Sequence, residues 1–339
     1  MDWPPGIAYF LQKLSASFLS PGAQFSLTSL ACALALAAAF LALRRTRAKR
    51  RIRIGTIARA LFPRRILTSP STGADFGYLF FNTLVYGLTF GWAVLSYQLL
   101  SNGIIAGMVG AFGPVQPPAL PEFAVRAIVT VILFLAYELG YWVHHYLSHR
   151  IAFLWEFHKT HHSATVLTPV TSARVHPVDT VIFANIVAIS TAIASGFANY
   201  FFGDSSYQYA LSNTNIILVL FIYTYVHLQH SELWMPLRGL PGHIVLSPAH
   251  HQVHHSTDPA HFNKNLGSCL AIWDWAFGTL YVPGKQREKL RFGADTDPRY
   301  LHTFTGEFIL PFARAFARLR GLIPAPRARA QAEEKNAAV

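Results

Sequence analysis

Charged side chains are scarce. Lys, Arg, Asp and Glu make up 13% of the 339 residues, about half the roughly 25% of an ordinary globular chain, while hydrophobic residues reach 52%. That balance excludes disorder and argues against the pair of soluble domains that length alone suggests. Cysteine is nearly missing. Cys32 and Cys269 are the whole complement, and Cys32 sits in an apolar run, so neither a disulfide framework nor a cysteine metal site is expected. Acids are outnumbered by bases, 16 to 28, for a net charge of +12. Three signatures are absent: the ExxH pair of carboxylate-bridged metal bundles, the HExxH of membrane metalloproteases, and a glycine-rich dinucleotide fingerprint.

What is present begins with long apolar runs. Phe25 to Leu43, Phe76 to Leu100, Ala127 to Val143, Val181 to Phe202 and Tyr207 to Val226 contain no Lys, Arg or Asp, and each is long enough, at 1.5 Å per residue, to cross or nearly cross the roughly 30 Å hydrocarbon layer. The first residues lack the basic start of a cleavable leader, so the first run is expected to be retained. Between the first two runs lie Arg44, Arg45, Arg47, Lys49, Arg50, Arg51, Arg53, Arg59, Arg64 and Arg65, with no acid until Asp75. Nucleic-acid binding is one use of such a stretch. Directly after an apolar run it reads instead as a topology signal: the 44–75 loop is cytoplasmic and the N-terminus is not. Counting spans from there puts 101–124 and 203–206 outside and every histidine cluster on the cytoplasmic face. A hidden span in Gly103 to Gly113 would flip that orientation but keep the clusters together. Residues 304–322 read as a helix lying on the surface, and the tail after Pro324 as disordered.

Histidine is the residue in excess. Of 16, fifteen fall between His144 and His261. His145 and His149 are four apart, so they share one helix face. His158, His161 and His162 form an HxxHH box, which His251, His254 and His255 repeat. His227 and His230 are three apart at the end of the last run. Imidazole is the commonest metal-ligand side chain and suits iron, zinc, copper and nickel. With so few acids nearby to partner ten imidazoles, a polynuclear site is expected, and ten neutral donors suffice for two metals. His144 competes with His145 for the first box; the spacing to His149 favours His145. Glu138, a carboxylate within a span, is expected to hydrogen-bond an imidazole. Asp274 either orients a ligand or caps a helix, and His176 before Pro177 either ligates or shapes the turn. His243, His250 and His302 are expected to be structural or exposed.

The segments ELGYWVHHYLSHRIAFLWEFHKTHHSATVLTPVTSARVHP (138–177), HSELW (230–234) and SPAHHQVHHSTDPAHFNKNLGSCLAIWDWAFGTLYVP (247–283) resemble the fatty acid hydroxylase / sterol desaturase superfamily of membrane di-iron oxygenases, over about residues 124–285. The resemblance implies that His145 and His149, then His158, His161 and His162, then His251, His254 and His255 are iron-ligand boxes, with His230 matching a histidine at the end of the last span and His227 a further candidate. It implies two iron ions, O2 as co-substrate, and hydroxylation or desaturation of a C–H bond in a lipid of sterol or fatty acyl type. With no NAD site visible, electrons are expected from a separate donor of ferredoxin or cytochrome b5 type with its reductase. The expected architecture is an all-α, multi-pass membrane bundle of about five spans carrying a cytoplasmic histidine-rich helical cap. The expected divisions are 1–75 (N-terminal span and basic loop), 76–285 (oxygenase domain) and 286–339 (amphipathic helix and tail), and the expected location is a bacterial inner membrane. A histidine-rich metal carrier and a zinc-dependent membrane hydrolase are the rival readings.

Overall fold

The computed structural model describes residues 3–203, 207–294 and 302–321; the tail after Pro324 and most of the 203–206 turn lie outside them. The described chain is mostly helical, with one short hairpin of Ala210–Leu211 against Thr214–Asn215. Its elements here are α1 (Pro5–Phe18), α2 (Leu27–Arg47), α3 (Ile54–Leu61), α4 (Pro70–Leu84), α5 (Tyr97–Phe112), α6 (Glu122–Arg150), α7 (Ala152–His162), α8 (Pro177–Phe202), α9 (Ile216–Gln229), α10 (Pro248–His254), α11 (Ile272–Ala276) and α12 (Phe304–Leu319).

Among the described residues, four segments are long and apolar enough to cross a membrane: α2, Tyr86–Phe112, α6 and α8. The apolar helix α9 is shorter and carries a π turn at Ile222–Val226. The second expected span, Phe76 to Leu100, is therefore displaced towards the C-terminus. Its first part is α4, whose polar side chains bind one loop at both ends of the helix. Ser71 accepts from the Thr165 N–H, Asp75 pairs with Arg174, and Asn82 donates to the carbonyls of Ala173 and Val175. A hydropathy count misses this because the partners that make those polar groups useful lie ninety residues away. The glycine-rich run at 103–113, considered as a hidden span, is the second half of the displaced one.

The long helices share a polarity. The Gly113 carbonyl accepts from the Tyr200 hydroxyl at one end of the bundle, whereas His144 meets Asp179 at the other. The histidine end thus holds the end of α6, the start of α8 and the end of α9. It also holds the start of α2: Gln24 donates to Ser172, and the Ser29 hydroxyl lies 3.2 Å from His227 Nε2. The expectation that α2 begins across the bilayer from the histidines is corrected by these contacts. Since Arg65 pairs with Glu232 and Asp75 with Arg174, both ends of 24–75 lie on the histidine side, and that segment as a whole makes no net change of side.

Helix α6 meets α8 along a line where Gly140 lets the backbones approach. A Cβ there would lie 2.3 Å from Ser190 Oγ and 3.2 Å from the Val187 Cα. Gly140→Leu is expected to destabilise the fold by about 2 kcal/mol through overpacking, read as a lower thermal midpoint in detergent. An unchanged midpoint would show that α6 and α8 can separate freely.

Candidate metal centre

The histidine helices start and stop for local reasons. The α6 helix ends at Ile151, a single extended residue (φ −96°, ψ 113°), and α7 leaves from it, so the 145/149 face and the second box are held by one sharp joint. The α10 helix begins with Pro248 in its first turn and is capped by Ser247, whose hydroxyl lies 2.7 Å from His250 Nδ1. Pro248 pre-sets the backbone for a helix start.

These elements bring nine imidazoles together in two groups. His145, His149, His158, His162 and His254 form one; His161, His230, His251 and His255 form the other, and within each group the facing donor atoms lie within 4.8 Å of one another. The two HxxHH boxes contribute in mirror fashion. In α7 the outer pair, His158 and His162, goes to the first group and His161 to the second; at α10 the outer pair, His251 and His255, goes to the second and His254 to the first. The groups abut, with the His162 and His255 rings 4.6 Å apart.

His227 lies outside both groups. Its Nε2 is 2.7 Å from the Gln24 carbonyl, so it fastens α2 to α9. His176 is also outside: Nδ1 accepts from the Val178 N–H and Nε2 donates to the Phe308 carbonyl, which spends both nitrogens. His144 binds Asp179 instead of joining His145. Glu138 touches no imidazole; its Oε2 accepts from the backbone N–H groups of Cys269 and Leu270. Asp274 likewise accepts from the Leu266 and Gly267 N–H groups, the Thr279 hydroxyl and the Trp142 indole. Both acids therefore act on the 264–270 loop. That loop presents the Leu266 carbonyl to His145 Nδ1 at 2.7 Å and the Lys264 carbonyl to His254 Nδ1 at 2.9 Å.

His158 Nδ1 donates to Asp179 at 2.9 Å, and His161 Nδ1 to the Arg174 carbonyl at 3.3 Å. An imidazole that donates through Nδ1 carries its lone pair on Nε2, the tautomer a metal requires. Asp179 was legible in the sequence only as a nearby acid; that it orients His158 and His144 together follows from the fold. Arg174, the Arg of RVHP, gave no sequence signal beyond being a charge among apolar neighbours.

The groups fit a metal ion each. Nitrogens bound about 2.1 Å from one metal lie some 3 to 4 Å apart. In the second group, His230 Nε2 is 3.3, 2.9 and 3.2 Å from the Nε2 atoms of His161, His251 and His255. In the first, His162 Nε2 is 3.2 Å from that of His149 and 3.1 Å from that of His254, while the Nε2 atoms of His145 and His158 are buried with no hydrogen-bond partner. Polar atoms left so in an interior are rare and call for a ligand. Burial, reinforced by neighbouring imidazoles, pushes His161, His162, His251 and His255 well below the ordinary histidine range, and His230 and His254 to about 3. All six are thus neutral donors.

A sequence model of the fatty acid hydroxylase family matches residues 130–279, a stretch that contains all nine imidazoles. The chain carries a fatty acid hydroxylase domain. Similar proteins include the alkylglycerol monooxygenase of Xenopus tropicalis, 24% identical over 63% of this chain and 48% of its own length. The human alkylglycerol monooxygenase is 27% identical over 47% of this chain and 32% of its own. The ornithine lipid hydroxylase of Rhizobium tropici is 27% identical over 56% of this chain and 57% of its own. The chain thus spans from about a third to somewhat over half of the length of these relatives. No solved structure matches it.

Two predictions follow from the hydroxylase domain's geometry. Asp179→Asn, which keeps shape but removes the charge behind His158, should weaken metal affinity by about 10-fold or more, measured by competition with a chelator; parental affinity would remove Asp179 from that role. An imidazole whose folded value lies below its unfolded value of about 6.5 binds fewer protons folded than unfolded. Stability of the metal-free protein should therefore be full above that pH and fall steadily below it, towards the value of about 3 held by His230 and His254. Unfolding midpoints taken from neutral to mildly acidic pH check this, and a flat profile contradicts it.

Proposed function

We propose that the protein hydroxylates a membrane lipid, with O2 as co-substrate and two iron ions held by the nine imidazoles. The observation that carries this is the pair of largely buried imidazole groups at one end of an apolar helical bundle. Iron bound there would supply the oxygen activation and one-electron chemistry that no side chain of the chain can provide. The protein's own part is to hold the donors in one tautomer, through the carbonyls of Leu266, Lys264 and Arg174 and the carboxylate of Asp179, and to keep the rings out of water.

Hydroxylation is favoured over desaturation because the similar proteins are called monooxygenase and hydroxylase, and the lipid class because they are called alkylglycerol and ornithine lipid enzymes. A lipid substrate also suits a site at the end of spanning helices, where an acyl or alkyl chain reaches the metals without leaving the bilayer. The ten basic residues of 44–65 end at Arg65, on the histidine side. By the positive-inside rule that side is cytoplasmic. Its exposed arginines suit an acidic electron-donor protein of ferredoxin or cytochrome b5 type, with its reductase.

Lipid extracts from cells with and without the gene, compared by mass spectrometry under heavy-oxygen gas, test the reading. The expected product gains one labelled oxygen atom and disappears with His255→Ala, and the purified protein holds two irons per chain. A product lacking two hydrogens would make the enzyme a desaturase. Full activity with zinc alone, or metal flux without O2 consumption, would replace the reading with the hydrolase or the carrier.

A further inference from the structure

Helix α12, read from sequence as lying on the surface, is instead joined to the second histidine box by buried charge. Its inner face is Glu307, Pro311 and Ala315, spaced four apart and buried. Glu307 pairs with Arg174, accepts from the Ser163 hydroxyl, and accepts from the His302 N–H. At the other end Arg318 pairs with the buried Glu156 of α7 at 2.7 Å. Between them the Phe308 carbonyl accepts from His176, and Phe312 packs edge-on against Phe157.

Arg174 is wholly buried, and its guanidinium is spent on three elements. It binds Asp75 and Ser71 on α4, the Thr160 carbonyl and Ser163 hydroxyl on either side of His161 and His162, and Glu307 on α12. Its own carbonyl is the acceptor for His161 Nδ1. A chain of contacts therefore runs from the Glu307 carboxylate, through Arg174, to the imidazole that α7 gives to the second group. Helix α12 and α4 both lie outside residues 130–279, the family match.

We propose that α12 is a clasp over the second histidine box and that Glu307 is a positioning residue for His161, acting through Arg174. The inference rests on the proposed function in so far as His161 holds a metal. A charge buried without its partner is costly, so loss of the Glu307 charge loosens Arg174, and the carbonyl that sets the His161 tautomer shifts with it. The other group is affected less: His162 adjoins Ser163, but His158 is held by Asp179, and His145 and His254 by the 264–270 loop.

The test uses the full-length protein in detergent, loaded anaerobically with ferrous iron or, for its visible spectrum, cobalt. Parent, Glu307→Gln and Ile309→Gln, the last on the exposed outer face of α12, are challenged with a chelator, and hydrogen exchange is followed across 158–163. In Glu307→Gln one of the two metals should leave about 10-fold faster with the other affected less, and exchange across the box should quicken; Glu307→Asp, which keeps the charge, should recover part of both. Ile309→Gln should match the parent. Parental release and exchange in Glu307→Gln would overturn the proposal. So would equal loss of both metals alongside a lower thermal midpoint, the mark of a purely structural role. If the parent binds neither metal, the proposed function fails, and the exchange comparison still decides the clasp.

Discussion

Nine imidazoles, eight of them buried and one half-buried, with their lone pairs converging are a repulsive arrangement, and much of the surrounding structure exists to hold them in it. Water can do little to relieve the crowding, because all the rings but the half-buried His149 are buried. Protonation cannot relieve it either, since burial and the neighbouring rings hold the six outside the spans below their ordinary range. What remains is to fix each ring from its far side. Four of the nine, His145, His158, His161 and His254, are tied through Nδ1 to a carbonyl or carboxylate. A cation between the lone pairs turns the repulsion into binding, which is how metal affinity and folding become one free energy.

The buried acids take part at one remove. Glu138 and Asp274 do not meet imidazole at all; they hold the N–H groups of the loop whose carbonyls do. Asp75 and Glu307 hold Arg174 in the same way, and of these acids Asp179 alone reaches a ring of the two groups. A site built this way sets imidazole donors inside an ionic frame, and it needs elements far apart in sequence, α4 and α12 among them.

How much of this the sequence carries depends on the range of the interaction. The boxes are local: a three- and four-residue spacing on a helix fixes which rings share a face, and His145 over His144 follows from it. The partners are not local. Asp75 is the only acid between Asp2 and Glu122, a hint that it has a dedicated cation, but nothing near it names Arg174. The same blindness displaced the second span: α4 is apolar enough to read as part of one, and only its contacts with the 165–175 loop hold it on the histidine side. For α12, apolar and arginine residues alternate as on any interfacial helix, and the single Glu307 that docks it looks like an ordinary first-turn acid.

His227 shows the opposite case, a candidate left outside both groups in a way that the spacing itself makes legible. Within each box, histidines four apart share a group and those three apart do not: His145 with His149, His158 with His162, His251 with His255, against His161 and His254, which cross over. A residue adds about 100° of turn, so four return a side chain to within 40° of its start and three leave it 60° short on the other side. When two binding points sit side by side, that difference decides which of them a ring faces. His227 and His230 are three apart, so by the same geometry they do not meet at one point; His230 enters the second group and His227 turns to Gln24 and Ser29. The π turn ends at Val226, immediately before the pair, and His230 closes the helix that begins at His227. The HxxHH motif is therefore more than a dense run of donors. It is the shortest helical pattern that serves two adjacent points at once, and its repetition in reverse roles at α7 and α10 is what lets two short helices fill both.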